Sequence, residues 1–300
     1  MRSSAAPELH GLPHGFCNRC WLCRPRSGER VVGLEYDELL PHMVERIRRL
    51  LAYPETRDLS IDDPRTTRRR RDIIESNRFL RRIYDEWYRL ISASIPAGPG
   101  SVLELGSGAG FLARYVPGLI ASEVFACPGI QLVLDARRLP FSSGSLRAIA
   151  MVDVFHHIPD NRAFLREARR CLRFGGSMVM IEPWVSTWSR PVYSRLHHEP
   201  FVPDAKDWTF PDAGPLSGAN GALPWIVFQR DRQQFEAEFP ELEIRAVRPF
   251  MPFRYLVSGG VSMRQLMPAA TFALWRGLES WLCAWPHHWS MFAFVQLTRR

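Results

Sequence analysis

Apolar residues recur at helical spacing in two early stretches of the chain. From Tyr36 to Ala52 they fall at Leu39, Leu40, Met43, Ile47 and Leu50, and from Asp72 to Ile95 at Ile73, Phe79, Leu80, Ile83, Trp87, Leu90 and Ile91. Steps of three and four of this kind predict one apolar face on each helix. Ser60-Ile61-Asp62-Asp63-Pro64 between them reads as a loop with a turn, and Arg68 to Arg71 as a solvated helix start. After a linker at Pro96 to Gly100 the pattern changes. Short apolar runs predict strands at Val102–Leu105, Leu119–Ser122, Gln131–Leu134, Ala148–Val152 and Ser177–Ile181, with a helix at about Phe111–Val116 and a helical stretch after Asp160. A helix at about Asp231–Phe239 and strands at Leu242–Val247 and Met291–Leu297 follow. Strands alternating with short helices predict an α/β, doubly wound parallel sheet, whose ligands bind beyond the carboxyl ends of the strands.

Two intervals do not fit that alternation. Residues 184–228 carry Trp184, Trp188, Trp208 and Trp225 among Pro, Gly and Asn, too aromatic for a free linker and too irregular for one element. Residues 251–288 hold a dense series of large apolar residues, among them Phe253, Tyr255, Leu256, Phe272, Trp275, Leu278, Trp281 and Trp285. Both read as insertions that overhang a ligand pocket. The expected organisation is a disordered tail over 1–30, a helical cap over 31–96, and a main domain over 97–300 with these two insertions.

The most specific chemistry lies in Glu104-Leu105-Gly106-Ser107-Gly108-Ala109-Gly110. Alternate glycines after an apolar strand let the backbone turn sharply and approach a ligand with no Cβ in the way. A dinucleotide fingerprint would need glycine at 111, which is Phe. Two further motifs follow in order, Asp135-Ala136-Arg137-Arg138-Leu139-Pro140-Phe141 and His156-His157-Ile158-Pro159-Asp160. Together the three resemble the class I S-adenosylmethionine (SAM)-dependent methyltransferases, over about residues 97–183. The resemblance implies a mostly parallel seven-stranded, Rossmann-like sheet and SAM as cofactor. It implies that Glu104, Gly106, Ser107, Gly108 and Gly110 surround the amino-acid part of SAM and the ribose edge, that Asp135 and Ala136 meet adenine, and that Asp153 faces the methyl donor.

Glu123, at the end of the second strand, is the candidate for the ribose hydroxyls, or else a surface glutamate. The interval 123–131 is too short for the usual crossover helix, a departure from the family pattern. His157, beside His156, is the candidate base for a hydroxyl or phenol acceptor, since imidazole titrates near neutrality; its alternative is a turn histidine packed on the sheet. His197, His198 and Glu199 form a polar cluster in the first insertion, expected to face the acceptor, with a metal site completed by another ligand and a solvated surface as the alternatives.

Composition narrows the partners. The formal net charge is +8, but Lys206 is the only lysine among 39 basic residues, which fits a coding bias better than selection for phosphate contacts, and no nucleic-acid partner is expected. No apolar run of membrane-spanning length and no apolar leader are evident, so the expected location is cytoplasmic, with peripheral contact at the inner face of a membrane in view of the apolar insertions. Cys17, Cys20 and Cys23, after His10 and His14, have spacing that could hold a metal, although the surrounding Pro, Gly and Arg favour a disordered tail. No metal is expected in the core, since transfer from a sulfonium needs no Lewis acid. The function expected is methyl transfer, at oxygen, to a bulky, partly apolar acceptor such as a lipid, lipid-linked glycan, quinone or natural product. The alternative is a methyltransferase-like SAM-binding or scaffold protein without turnover.

Overall fold

The computed structural model describes Arg46, residues 50–53, 59–197, 199–212, Gly214 and residues 216–300. The 1–30 tail with its three cysteines, most of the first predicted helix, and His198 lie outside the described residues. Seven strands form one sheet: β1 (Ser101–Leu105), β2 (Leu119–Glu123), β3 (Leu132–Val133), β4 (Leu146–Val152), β5 (Leu172–Pro183), β6 (Leu242–Phe250) and β7 (Phe292–Arg299), in the order 3-2-1-4-5-7-6. Strands β3 to β5 pair parallel through β1, and β7 runs antiparallel between β5 and β6. This is the expected doubly wound, mostly parallel sheet of the class I methyltransferase, Rossmann-like type.

Side-chain alternation along the strands divides the core in two. Leu103, Leu105, Ile149, Met151, Met178 and Met180 face one layer, built from α3 (Asn161–Cys171), the helical segment Leu223–Arg230 and α5 (Arg232–Glu238). Val102, Ala148, Ala150, Val179 and Ile181 face the other, against α2 (Arg78–Ser94). Trp87, Tyr88, Phe79 and Ile91 of α2 are buried there, so the N-terminal helices share the core of the sheet.

The single helix expected over Asp72–Ile95 is two, α1 (Pro64–Ser76) and α2, broken at Asn77. The Asn77 side-chain oxygen accepts from Phe79 N and Leu80 N, each at 3.0 Å, while its amide donates to Ser258 O at 2.9 Å. Two capped N–H groups and a tertiary bond favour the break over one more helical residue. The helix expected at Phe111–Val116 is only a 3₁₀ turn, Leu112–Arg114. Six residues separate the glycine loop from Pro117 and Gly118, too few to nucleate a longer helix. The glycine loop therefore has no helix dipole behind it, and α2 covers that face instead.

The described residues of both insertions pack onto the domain. In the first, Trp208 is buried with its Nε1 donating to Asp231 Oδ2 at 2.9 Å, and α4 (Ser189–Leu196) lays Val192 and Tyr193 on the α2 side. The second contains α6 (Arg254–Ser258), α7 (Phe272–Leu282) and α8 (Pro286–Trp289). Trp188 Nε1 donates to Pro252 O at 2.9 Å, tying the two together. Tyr255 stacks on Trp87 at 5.7 Å, and Phe272 packs edge-on against Phe79.

Candidate active site

A cleft opens where β1, β2 and β4 end. Leu105, Gly106 and Ala109 form its floor, Ser122, Glu123, Leu134 and Ala136 one wall, and Asp153, Val154 and His157 the other. Thr67 and Arg70 of α1 and Tyr84 of α2 roof it, with Leu216 and Val261 from the two insertions at its rim. Arg70, read from sequence as part of a solvated run, thus lines the cleft, while Arg68 and Arg69 are exposed.

The loop glycines are required by close approach. Gly106 has φ +67°, and a Cβ there would lie 2.3 Å from Val154 Cγ2. At Gly108 it would meet Thr67 Cγ2 at 2.4 Å and Glu123 Oε1 at 2.8 Å, and at Gly110 the Tyr88 hydroxyl at 2.4 Å. Glu123 is buried; its Oε1 accepts from Gly108 N at 3.1 Å and its Oε2 from Val124 N at 3.0 Å. Burial raises the Glu123 carboxyl above its ordinary pKa, against those two hydrogen bonds.

Other expected cofactor residues are placed differently. Glu104 faces a separate cavity of about 380 Å³ under the loop, shared with Ser107 and Gly110. Burial pushes its carboxyl up to about 7. Ser107 latches β1 to β2, donating from its backbone to Ser122 O at 2.9 Å and accepting at its hydroxyl from Ser122 N at 3.1 Å. Asp135 is exposed, and its carboxylate takes the backbone N–H of Arg137 at 2.8 Å and the Arg137 Nε at 3.0 Å. Despite partial burial, these bonds hold it below the usual range. Of that pair, only Ala136 lines the cleft, because Arg137, two residues on, has captured the acid.

Asp153 stands at φ +56°, a conformation that only Gly, Asn and Asp adopt readily. It lines both the cleft and a second cavity. Burial pushes its carboxyl up to about 7; the neighbouring His156 cation opposes this, and Glu182 and Glu199 add to it. His156, His157, His197, Glu199, Tyr193 and Tyr255 also line that second cavity. A third, almost wholly apolar, shares Tyr193 and Tyr255 with it and is lined further by Leu196, Leu256, Val261 and Met263.

His156 is buried between two carboxylates: its Nδ1 lies 2.7 Å from Glu182 Oε2 and its Nε2 3.3 Å from Glu199 Oε2. Burial works against the cation, but both carboxylates stabilise it and lift its pKa to about 10. Burial, with the His156 charge adding, lowers His157 to about 4, and its Nδ1 lies 3.2 Å from Gly218 O. His156 is therefore already protonated at neutral pH and His157 is a weak base. Glu182, not singled out from sequence, anchors this group: its Oε1 accepts from Val154 N and Phe155 N at 2.9 Å each. An acid closing the apolar run Met178–Ile181 was the available signal, since a buried carboxylate needs partners.

Residues 103–180 match the family model described as a methyltransferase domain. Over 125 residues the chain is 30% identical to a demethylmenaquinone methyltransferase of Thermotoga maritima, covering 35% of this chain and 55% of that protein. It is 28% identical over 138 residues to a sarcosine/dimethylglycine N-methyltransferase of Halorhodospira halochloris, covering 37% of this chain and 50% of that protein. The chain thus spans about half the length of these curated relatives. Among solved structures, a geranyl diphosphate C-methyltransferase from Streptomyces coelicolor A3(2) superposes with a TM-score of 0.46 at 14% identity, over 74% of this chain and 81% of that one.

Proposed function

We propose that this protein transfers a methyl group from SAM to the oxygen of a bulky, partly apolar acceptor. The observation that carries the reading is the adjacency of the three cavities: the cleft and the polar chamber share Arg70, Asp153, His157 and Val261 as lining, and that chamber and the apolar one share Tyr193, His197, Tyr255 and Val261. A donor in the first and an acceptor lying through the other two would meet at Asp153. The match of residues 103–180 to the methyltransferase domain supports the donor's identity.

SAM, when bound, supplies an activated methyl on a sulfonium, so the chain's task is alignment and removal of a proton. Gly106 and Ala109 offer a surface without bulk, Glu123 a carboxylate for hydroxyls, and Leu134 and Ala136 an apolar wall for a flat ring. Arg70 supplies a cation for a carboxylate. Asp153 replaces His157 as the proton acceptor in this reading: it sits at the junction, and a base titrating near the working pH is the effective kind. His156, held between Glu182 and Glu199, positions the chamber wall.

The lining of the apolar chamber by Val192, Leu196, Leu256, Val261, Met263 and Met291 fits an isoprenoid or acyl body better than a small amine. The far face of α7 supports a second feature, contact with an anionic membrane surface, and hence a cytoplasmic site at the inner face of a membrane. Leu274, Leu278 and Trp281, with Trp285 beyond, recur at three- and four-residue steps and are 74, 41, 63 and 48% exposed, beside exposed Arg276 and Arg264. Among the described residues, no helix is long and apolar enough to cross a membrane.

The test is turnover of methyl-labelled SAM against isoprenoid quinols, lipid-linked glycans and small phenols. Label in an apolar hydroxyl acceptor is the expected result. Transfer to small polar amines alone, or tight NAD binding with no response to SAM, would overturn the reading.

A further inference from the structure

The chamber beside the cleft contains a donor set that methyl transfer from a sulfonium does not require. His156 and His157 are consecutive on the 3₁₀ turn Phe155–His157, where their rings lie 4.3 Å apart and tilted by 38°. One nitrogen of each, together with a carboxylate oxygen of Glu199, falls in a group whose members all lie within 4.8 Å of one another. Glu199 Oε2 is 3.3 Å from His156 Nε2, and Oε1 is 3.7 Å from His157 Nε2. Donors bound about 2.0–2.2 Å from a tetrahedral ion are separated by roughly 3.4 Å.

The outward nitrogens are held as a metal site needs them. His156 Nδ1 faces Glu182 Oε2 and His157 Nδ1 faces Gly218 O, so each ring can donate from Nδ1 to a fixed oxygen and turn its Nε2 lone pair to a common centre. Carboxylate–histidine–metal relays have this arrangement. Glu182 is itself fixed by two backbone donors and fully buried. His197 Nδ1 lies a further 3.7 Å from Glu199 Oε2. The chamber also supplies the space that a three-ligand site leaves open, next to Asp153.

We infer that His156, His157 and Glu199 bind a first-row divalent transition cation, with an open coordination position facing the acceptor chamber. Two imidazoles and one carboxylate select zinc, iron, cobalt or manganese over calcium and magnesium, which prefer all-oxygen sets. The cation takes the place of the proton now shared between His156 and Glu199. Its charge is matched by Glu199, Glu182 and Asp153, with Arg70 the opposing cation among the residues lining the chamber. The sequence reading expected no metal because transfer from a sulfonium needs no Lewis acid and no ligand set was evident in the core, Glu199 lying some forty residues from the two histidines. The fold closes that gap.

The site is tested with Co²⁺ as the probe, on the full-length chain carrying Cys17→Ser, Cys20→Ser and Cys23→Ser so that tail thiolates contribute nothing. The expected result is one equivalent bound, with ligand-field bands and no thiolate charge-transfer band, displaced by Zn²⁺. Glu199→Gln and His157→Phe should each weaken binding by about tenfold or more, and Glu182→Gln, which leaves all three ligands in place, by about 10–100-fold. Circular dichroism confirms that each variant is folded. No Co²⁺ uptake by the folded protein, or uptake indifferent to Glu199→Gln and Glu182→Gln together, overturns the site. No methyl donor is present in the titration, so it is decided separately from the methyl-transfer reading.

Discussion

The Gly108 amide donates to Glu123 Oε1 across 3.1 Å, so the carboxylate at the end of β2 and the middle glycine of the loop fix one another. The contact leaves no space for a side chain at 108, where Thr67 Cγ2 also closes in. Gly108→Val should therefore weaken SAM binding at least about tenfold, or about 1.4 kcal/mol, in calorimetric titration. Unchanged affinity in a folded variant would remove the loop from the donor site.

A pH profile isolates Asp153. Its carboxyl, raised to about 7 by burial, accepts a proton only when ionised, so kcat/KM should rise with pH through about 7 and level off above it. Asp153→Asn keeps a residue tolerant of φ +56° while removing the charge. That variant should lose the rising limb and about 10²–10⁴-fold in kcat, with SAM affinity retained. Persistence of the same limb in the variant would assign the proton to another group.

Asn77 joins the break between α1 and α2 to the second insertion through Ser258. Asn77→Ala deletes a cap and a buried tertiary hydrogen bond, for an expected loss of about 2 kcal/mol in denaturant unfolding. A loss near zero would mean that water replaces both.

The exposed face of α7 predicts binding to anionic vesicles in low salt and release in high salt. Leu274→Ser combined with Trp281→Ser should reduce partitioning about tenfold and leave the melting temperature nearly unchanged, because both side chains are largely in solvent. Equal partitioning of variant and parent would exclude this face as the contact.

Strand positions were legible because a two-sided buried strand writes a short apolar run, as at Leu103 to Leu105 and Ile149 to Met151. The interval without a crossover helix between Glu123 and Leu132 was legible from its length. The pairing of Asp135 with Arg137 was not legible because the motif does not register such local competition. Arg70 was misread since a run of four arginines shows no periodicity, and only the docking of α1 turns Arg70 to the cleft and Arg71 to the cavity under the loop. The meeting of His156 with Glu182 and Glu199 depends on separations of 26 and 43 residues, which only the completed sheet and first insertion bring within reach.

The walls of the cleft come from residues near 67, 105, 123, 153, 216 and 261, six stations spread over most of the described chain. An intermediate with β1, β2 and β4 paired but α1 or either insertion undocked would own a sheet and no complete pocket. A small molecule that needs every wall is therefore blind to partly assembled chains, and at 100 times its dissociation constant it would stabilise the finished state by about 2.7 kcal/mol. Thermal shift with the donor thus reads the final docking of α1 and the insertions, and a truncation that removes α1 should abolish that shift even where the sheet survives.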